Sequence, residues 1–317
     1  MHLVTLNAAG HPSPGVVAGN SILDLGAAAT VLPAAKMIPS SMRGLLEGGD
    51  AALDLVRSLR DQAMNASSSL KEQLSACGAL LPRSGAKLLA PLAPGMILSG
   101  GMNYHEHLKE MNSPAPDKPV AFVKSSAAVI GPGASILLPK SHPGMVDWEG
   151  EFSAVFGKPC FNVKAAEAID YLAGYVLIND VSARDWVAPI FSATGIMGPI
   201  NAWEHNLLGK QFPTFCPLGP TIATCDEIPD PENVAITTTL NGQVMQSANT
   251  DDLVFSLRKL IEYYSQFYRF VPGDVITTGS PSGVGYGRNP KVFMKAGDTV
   301  EVKVDAIGAL TNPIAAG

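Results

Sequence analysis

Residues 146–156 have the sequence Val-Asp-Trp-Glu-Gly-Glu-Phe-Ser-Ala-Val-Phe, and this stretch decides how the chain folds. If it forms a β-strand, its side chains alternate between two faces. The apolar face would pack into the core and consists of Trp148, Phe152, Ala154 and Phe156. The other face would carry the acidic side chains Asp147, Glu149 and Glu151. Because neighbouring like charges repel, this acidic row must either face open water or bind a cation such as a divalent metal.

The composition predicts a globular protein with a sizeable core. The chain has 317 residues, of which 46% are hydrophobic and 16% are charged, and this length suits one large domain or two. Its net charge of -6 and its lack of a basic run argue against a nucleic-acid surface, since phosphate binding needs clustered Lys and Arg. We therefore expect no nucleic-acid partner.

The cysteines and the apolar runs indicate the compartment. Cys77, Cys160, Cys216 and Cys225 are scattered without Cys-x-x-Cys spacing, which predicts neither a disulfide framework nor a zinc site. The residues from Met1 onward lack the pattern of a secretory signal, and no apolar run approaches membrane-spanning length. We expect a protein of the reducing cytoplasm with no membrane partner.

The order of patterns predicts a small amino-terminal α/β module at residues 1–85 and a catalytic domain at residues 86–317. The first module combines short strands with helical spacing at 43–62. In the second, short strand-like runs are separated by Gly and Pro: 120–124, 128–138, 146–157, 174–180, 234–240, 274–278 and 298–304. Its clearest helices are 164–172 and 251–267. Many short strands with few helices favour a β-rich α+β fold.

A third carboxylate lies at the end of the apolar strand predicted at residues 174–180. Asp180 ends this run and would be costly to desolvate without a partner. It could instead form an Asx turn or cap the next segment. Together with Glu149 and Glu151 it makes an all-oxygen ligand set, which suits Mg²⁺ or Mn²⁺ better than zinc.

Residues 101–110, Gly-Met-Asn-Tyr-His-Glu-His-Leu-Lys-Glu, supply a candidate acid–base pair. If the segment is helical, His107 and Glu110 stand on one face, where the carboxylate can orient the imidazole and raise its basicity. His105 competes for this role, and the alternative is an exposed polar turn. Glycines at positions 100 and 101 offer a hinge, so the segment is a candidate lid over a substrate.

Five motifs, taken in order, resemble the fumarylacetoacetate hydrolase superfamily. They are Gly-Met-Asn-Tyr-x-x-His-x-x-Glu (101–110), Val-Asp-Trp-Glu-Gly-Glu (146–151), Asn-Asp-Val-Ser-Ala-Arg-Asp (179–185), Gly-Lys-x-Phe-x-Thr-Phe-Cys-Pro-Leu-Gly-Pro (209–220) and Thr-Gly-Ser-Pro-Ser-Gly-Val-Gly (278–285). The resemblance runs from about residue 88 to the carboxyl terminus. It implies a mixed β-sandwich roll for the catalytic domain and a homodimer.

The resemblance also implies roles for individual residues. It implies that Mg²⁺ or Mn²⁺ binds the three carboxylates Glu149, Glu151 and Asp180. Lys210 would lie beside the metal-bound substrate, and the lid dyad of His107 and Glu110 would activate water. The expected substrate contacts are Tyr104, Arg184 and Ser280.

Three departures from the family pattern bear on the substrate. The position three after Arg184 commonly carries a Gln that contacts substrate, but here it is Val187, which predicts a less polar pocket. Thr is commoner than Ser at position 280. Residues 188–208 form a longer linker than usual, and their Gly and Pro predict an irregular surface loop, either a second lid or an interface. Arg184 itself could simply pair with Asp185 or Asp180.

The predicted chemistry starts from a keto acid that chelates the metal through its carboxylate and 2-oxo oxygens. In an acylpyruvate or a similar β-diketo acid, water deprotonated by His107 would attack the distal carbonyl. Carbon–carbon cleavage would then expel a pyruvate enolate that the metal and Lys210 stabilise. Decarboxylation of oxaloacetate or a double-bond shift would give the same enolate, and fold and metal do not select among these reactions. The sequence thus predicts a metal-dependent hydrolase of β-diketo acids, with an oxaloacetate-type decarboxylase or isomerase as the alternative.

Two other functions compete with this prediction. The glycines at 278–285 could form a phosphate-binding loop, but the spacing of a nucleotide-binding motif is missing. The second competitor is a ligand-binding pseudoenzyme without turnover, suggested by Val187 and the long linker. The intact metal and dyad positions argue against it.

Overall fold

The computed structural model describes residues 1–8, 10–186 and 193–317. Its β-strands are, in chain order, β1 His2–Ala8, β2 His11–Ala18, β3 Ser21–Asp24, β4 Leu80–Pro82, β5 Leu88–Leu89, β6 Ile97–Gly101, β7 Val120–Lys124, β8 Val129–Ile130, β9 Ile136–Leu138, β10 Val146–Asp147, β11 Gly150–Phe156, β12 Leu172–Asn179, β13 Ser182–Ala183, β14 Cys216–Thr224, β15 Ala235–Leu240, β16 Gln243–Asn249, β17 Val275–Thr277, β18 Thr299–Val304 and β19 Gly308–Ala316. Its α-helices are α1 Leu25–Ala28, α2 Met42–Glu47, α3 Gly49–Met64, α4 Ser68–Ala76, α5 His105–Glu110, α6 Met197–Leu208 and α7 Leu257–Tyr264.

The fold is strand-rich and mixed, which confirms the predicted β-rich α+β class. A 12-stranded sheet has the main order β4-β3-β2-β1-β14-β12-β11-β17-β6-β7, and a five-stranded sheet has the order β16-β15-β18-β19-β9. One hydrophobic core lies between the first sheet and the helices α2 and α3, around Leu45 and Val56. A second core joins the two sheets and α7, around Phe152 and Val302. Within the described residues, no helix is long and apolar enough to cross a membrane.

The amino-terminal strands extend the large sheet rather than forming one of their own. β1 pairs with β14, with His2 opposite Ala223, and β2 and β3 follow as antiparallel neighbours. The division near residue 85 into two modules stays a prediction.

Several predicted elements differ from the structure in extent or type. The run 128–138 is split into β8 and β9, because Pro132 and a left-handed Gly133 form a turn between them. Residues Ala165–Tyr171 form a 3-10 helix, since backbone bonds anchor the chain just before it and β12 begins at Leu172 just after it.

The predicted loop at 188–208 is wrong for its second half, which is the helix α6. Gly198 and Pro199 lie in the first turn of α6, where backbone N–H groups have no helical partner and a proline therefore costs little. Residues 188–192, the first part of this linker, lie outside the described residues, and so does Val187 with its predicted effect on the pocket.

Pairing within the large sheet brings five chain segments to one edge. β11 runs antiparallel to β12, with Gly150 opposite Asn179, and antiparallel to β17. β6 runs parallel to β17, so the chain leaves both strands at the same end. The segment before β14 arrives there too, because β14 is antiparallel to β12. The starts of β11 and β14 and the exits of β6, β12 and β17 therefore surround one site.

Candidate active site

The strand predicted at 146–156 is interrupted at Trp148 and Glu149. β10 pairs with β13, whereas β11 begins at Gly150 in the large sheet. Gly150 is required at this transition, because a Cβ there would overlap the hydroxyl of Thr238. All three acidic side chains of the predicted outer face are buried, so the solvated alternative is wrong.

Three carboxylates converge where β11 starts and β12 ends. Glu149, Glu151 and Asp180 each offer an oxygen within 4.8 Å of the others, and their exposed fractions are 6%, 0% and 1%. The Asp180 N–H donates to the carbonyl of Glu149 over 2.8 Å, which fixes the two segments side by side. The predicted metal-ligand set is thus brought together, while its role stays a prediction.

Three buried cations neutralise most of this charge. Lys210 Nζ donates to Glu149 Oε2 and to Asp180 Oδ2, both over 2.7 Å. Arg184 Nη2 lies 2.7 Å from Glu149 Oε1, and Lys124 Nζ lies 2.6 Å from Asp180 Oδ1. Sequence analysis missed Lys124, because a lysine that ends an apolar strand gives the same signal whether it is exposed or buried.

These ion pairs fix the protonation states of Glu149 and Lys210. Burial alone would raise the pKa of Glu149, but the charges of Lys210 and Arg184 outweigh it and lower that pKa to about 2. Burial would also lower the pKa of Lys210, yet the charges of Asp180 and Glu149 raise it above its ordinary value. Lys210 is therefore a fixed cation and is unsuited to act as a base.

Glu151 is the exception, because its carboxylate forms no ion pair within the part of the chain that the structure describes. Both of its carboxylate oxygens are buried without a hydrogen-bond partner among the described residues. Burial, and then the charges of Asp180 and Glu149, raise its pKa well above the ordinary value. The Thr277 hydroxyl lowers that pKa to a smaller extent, but its geometry does not amount to a hydrogen bond.

An orphaned buried carboxylate beside two others fits a divalent cation. The site contains four carboxylates (Asp147, Glu149, Glu151 and Asp180) and three cations (Lys124, Arg184 and Lys210). If all are ionised, the formal charge is -1, and a divalent ion would change it to +1. An all-oxygen donor set is the type that Mg²⁺ and Mn²⁺ prefer, and a positive site suits an anionic keto acid.

The predicted acid–base pair forms on the helix α5. His107 Nδ1 lies 2.9 Å from Glu110 Oε2, and both side chains are about one-sixth exposed, at 17% and 16%. His107 is close enough to the carboxylate site to act electrostatically on Glu149, to a smaller extent than Lys210 and Arg184. The competing His105 is exposed.

The turn into this helix is fixed by its neighbours. Asn103 Nδ2 donates to the carbonyls of Phe255 and Thr278, and its Oδ1 accepts from the Phe255 N–H. The change in backbone direction occurs at Met102, whose φ of 53° is left-handed. Gly100 instead lets the backbone of β6 lie close to the backbone at Thr277, since a Cβ at position 100 would lie 2.8 Å from the carbonyl oxygen of Thr277.

The three predicted substrate contacts lie in different surroundings. Ser280 is 5% exposed, and its Oγ accepts from Gln246 Nε2 over 3.0 Å and donates to the carbonyl of Pro281 over 3.4 Å. Tyr104 is fully buried, with its hydroxyl 3.5 Å from Thr278 Oγ1. Arg184 donates through Nε to Asp147 over 2.8 Å and also pairs with Glu149, rather than with Asp185 or Asp180, the partners considered as the alternative to substrate contact. Substrate contact by all three stays a prediction.

Known proteins share this architecture and sequence. Residues 96–315 match the family described as fumarylacetoacetate (FAA) hydrolase C-terminal. An oxaloacetate tautomerase of Xenopus laevis, described as mitochondrial, is 39% identical over 319 residues, with 99% of this chain and 90% of that protein covered. The 5-carboxymethyl-2-hydroxymuconate delta-isomerase of Mycobacterium smegmatis has a TM-score of 0.70 at 30% identity, with 100% and 99% of the two chains covered. The fumarylacetoacetate hydrolase of Exiguobacterium antarcticum has a TM-score of 0.77 at 26% identity, with both chains fully covered.

Proposed function

This chain belongs to the fumarylacetoacetate hydrolase family, and from that premise we propose that it interconverts the enol and keto forms of oxaloacetate or a similar 2-oxo dicarboxylic acid. In the enol-to-keto direction, a proton leaves the oxygen on C2 and a proton is added at C3. One sequence comparison favours this reaction over the other reactions of the family. The tautomerase relative is 39% identical over 99% of this chain, whereas the isomerase and the hydrolase are 30% and 26% identical over its whole length.

The site contains the groups that such a proton transfer needs. A divalent cation held by Glu149, Glu151 and Asp180 would polarise the substrate's carboxylate and 2-oxo oxygens and so favour the enolate. We assign Lys210 to stabilising the enolate oxygen, because its raised pKa keeps it charged.

His107 is the proton carrier in this proposal. When its Nδ1 carries the proton that Glu110 accepts, its Nε2 is free to take the enol proton and to return a proton to C3. The carboxylate of Glu110 would stabilise the imidazolium that exists between the two transfers. Ser280, whose hydroxyl accepts from Gln246, would donate to a substrate carboxylate.

Hydrolysis of an acylpyruvate is the second candidate, and the dyad favours it. A partly exposed imidazole oriented by a carboxylate can deprotonate water as readily as an enol. The same fixed cation would then stabilise the pyruvate enolate that leaves. Both reactions start from a 2-oxo acid and differ in whether water attacks a second carbonyl.

Enol oxaloacetate and acetylpyruvate, each with Mg²⁺ or Mn²⁺, separate these functions. Loss of the enol's ultraviolet absorbance above the spontaneous rate, without release of pyruvate, is the result we expect. His107→Ala should lower that rate by about 10²-fold or more, whereas the matched control His105→Ala, on the exposed part of the same helix, should leave it within about twofold. Release of pyruvate from acetylpyruvate would support the hydrolase instead, and release from oxaloacetate would indicate decarboxylation. Binding of these acids without any turnover would support a pseudoenzyme.

Two further expectations remain proposals. The homodimer implied by the family resemblance is checked by the mass of the protein in solution. The cytoplasmic location is checked by fractionation, and it differs from that of the Xenopus laevis relative, which is described as mitochondrial.

A further inference from the structure

We propose that Asp147 is a positioning residue that sets the His107–Glu110 dyad through the glycine loop, defined as residues 278–287. This inference deepens the proposed function, on which it rests for the catalytic role of the dyad. It also assigns a role to the glycine-rich motif, which the metal site and the dyad leave unexplained.

The carboxylate of Asp147 is fully buried and accepts four hydrogen bonds. Oδ1 accepts from the N–H groups of Gly285 over 2.7 Å and Trp148 over 2.9 Å. Oδ2 accepts from the N–H of Tyr286 over 3.0 Å and from Arg184 Nε over 2.8 Å. Two consecutive loop N–H groups thus bind one buried anion, which fixes this part of the glycine loop relative to β10.

Glycines are needed where the loop makes these contacts. Gly283 has a φ of 98°, and a Cβ there would overlap the carbonyl of Met245. At Gly285, a Cβ would overlap the carbonyl of Val292 and lie 2.7 Å from Asp147 Oδ1. The loop therefore directs its backbone N–H groups at carboxylates of the protein itself, which explains its composition without a bound phosphate.

Two glycines that flank these contacts, Gly283 and Gly287, hold Glu110. The Gly283 N–H donates to Glu110 Oε1 over 3.0 Å, while Glu110 Oε2 lies 2.9 Å from His107 Nδ1. Gly287 packs so closely that a Cβ there would lie 2.5 Å from Glu110 Cδ. Because Glu110 Oε1 accepts from the backbone, Glu110 Oε2 is fixed towards the imidazole of His107. It thereby selects the His107 tautomer whose Nδ1 is protonated and whose Nε2 is free.

These contacts make one continuous path from the carboxylate site to the dyad. Arg184 completes it, because it binds Asp147 through Nε and lies 2.7 Å from Glu149 through Nη2. In order, the path is Glu149, Arg184, Asp147, the glycine loop, Glu110 and His107. An error of about 1 Å in the placement of a reacting group can cost about 10²-fold in rate. A substitution along this path that moves the dyad should therefore lower kcat measurably.

Gly287→Ala tests the lid end of the path without touching a carboxylate ligand. Its φ is outside the left-handed region, so alanine fits the backbone, and the three atoms nearest to the new Cβ all belong to Glu110. We expect kcat to fall at least tenfold, KM to change less than threefold and the Kd for Mn²⁺ to stay within twofold. The matched control is Gly85→Ala, since a Cβ there meets open space. Equal kcat values for the two variants would overturn the proposal.

Asp147→Asn tests the other end and completes a double-mutant cycle with Gly287→Ala. If both act through the loop, the second change should cost less than threefold in kcat once the first is present. Additive losses would mean that Asp147 acts on its own and would overturn the proposal.

Hydrogen exchange of the amides at 105–112 needs no substrate and keeps the two hypotheses apart. Both variants should exchange faster there than wild type, while Gly85→Ala should not. Absence of tautomerase and hydrolase activity in the wild type would refute the proposed function alone, since faster exchange in the variants would still support the positioning role. Unchanged exchange in folded Asp147→Asn would overturn the positioning role whatever the activity.

Discussion

Glu151→Gln is the substitution whose consequences the structure defines best. It keeps the shape of the side chain but removes the negative charge that has no hydrogen-bond partner among the described residues. With the ion absent and Glu151 ionised, the substitution changes the formal charge of the site from -1 to 0, so the variant attracts a cation less. Loss of one of three charged ligands in a buried site should cost about 3 kcal/mol, or roughly 100-fold in the Kd for Mn²⁺.

In the metal-free protein the same substitution should be favourable: Glu151→Gln weakens metal binding but removes a source of instability. Unfolded Glu151 titrates near 4.5, whereas burial and the neighbouring carboxylates raise the pKa of the folded side chain well above that. Between these two pKa values the native state holds a proton that the unfolded chain has lost. The unfolding free energy therefore falls as the pH rises, by up to about 1.4 kcal/mol per pH unit. Glu151→Gln should remove this contribution, and bound Mg²⁺ should remove it in the wild type.

Two measurements check this reasoning. Calorimetric titration with Mn²⁺ gives the Kd, and urea unfolding in EDTA between pH 5 and pH 8 gives the dependence of stability on pH. Glu167→Gln, at an exposed position, is the matched control and should change neither. The reasoning is refuted if Glu151→Gln binds Mn²⁺ as tightly as wild type, or if it keeps the wild-type pH slope in EDTA.

Three further substitutions have defined outcomes. Lys124→Met removes a fully buried partner of Asp180 and should lower the unfolding free energy by about 3 kcal/mol or more. Urea unfolding with and without Mg²⁺ measures this change, and a loss under about 1 kcal/mol would contradict the buried pair. Gln246→Leu removes the donor that orients the Ser280 hydroxyl and should raise KM about tenfold with a smaller change in kcat. Steady-state kinetics measures both, and an unchanged KM would argue against substrate contact at Ser280. Gly150→Ala places a methyl group on a threonine hydroxyl and should lower Tm by several degrees in a thermal melt, whereas an unaltered Tm would mean that β11 can shift to make room.

Much of the site follows from short-range rules that act within one segment. Three-residue spacing on a helix is enough to pair His107 with Glu110. The position of Asp180 directly after an apolar strand implies a buried charge that needs a partner. These features were accessible from the sequence because each depends on the local period and on the cost of burying a charge.

The remaining features depend on contacts between distant segments. Strand alternation placed Asp147 on the same face as Glu149, but β10 leaves the sheet to pair with β13, and Asp147 therefore binds Arg184 and the glycine loop. Lys124 gave no signal, because only the tertiary fold decides whether a terminal strand lysine is buried. The Gly and Pro of α6 favoured a loop by composition, although both are tolerated in the first turn of a helix.

Diffraction at the manganese absorption edge, from crystals soaked in Mn²⁺, tests the central claim most directly. The account predicts one strong anomalous peak among the carboxylates of Glu149, Glu151 and Asp180, with oxygen atoms of each within about 2.0–2.6 Å of the ion. A peak elsewhere with none among these three side chains, in crystals whose Lys210 keeps its two carboxylate contacts, would contradict it.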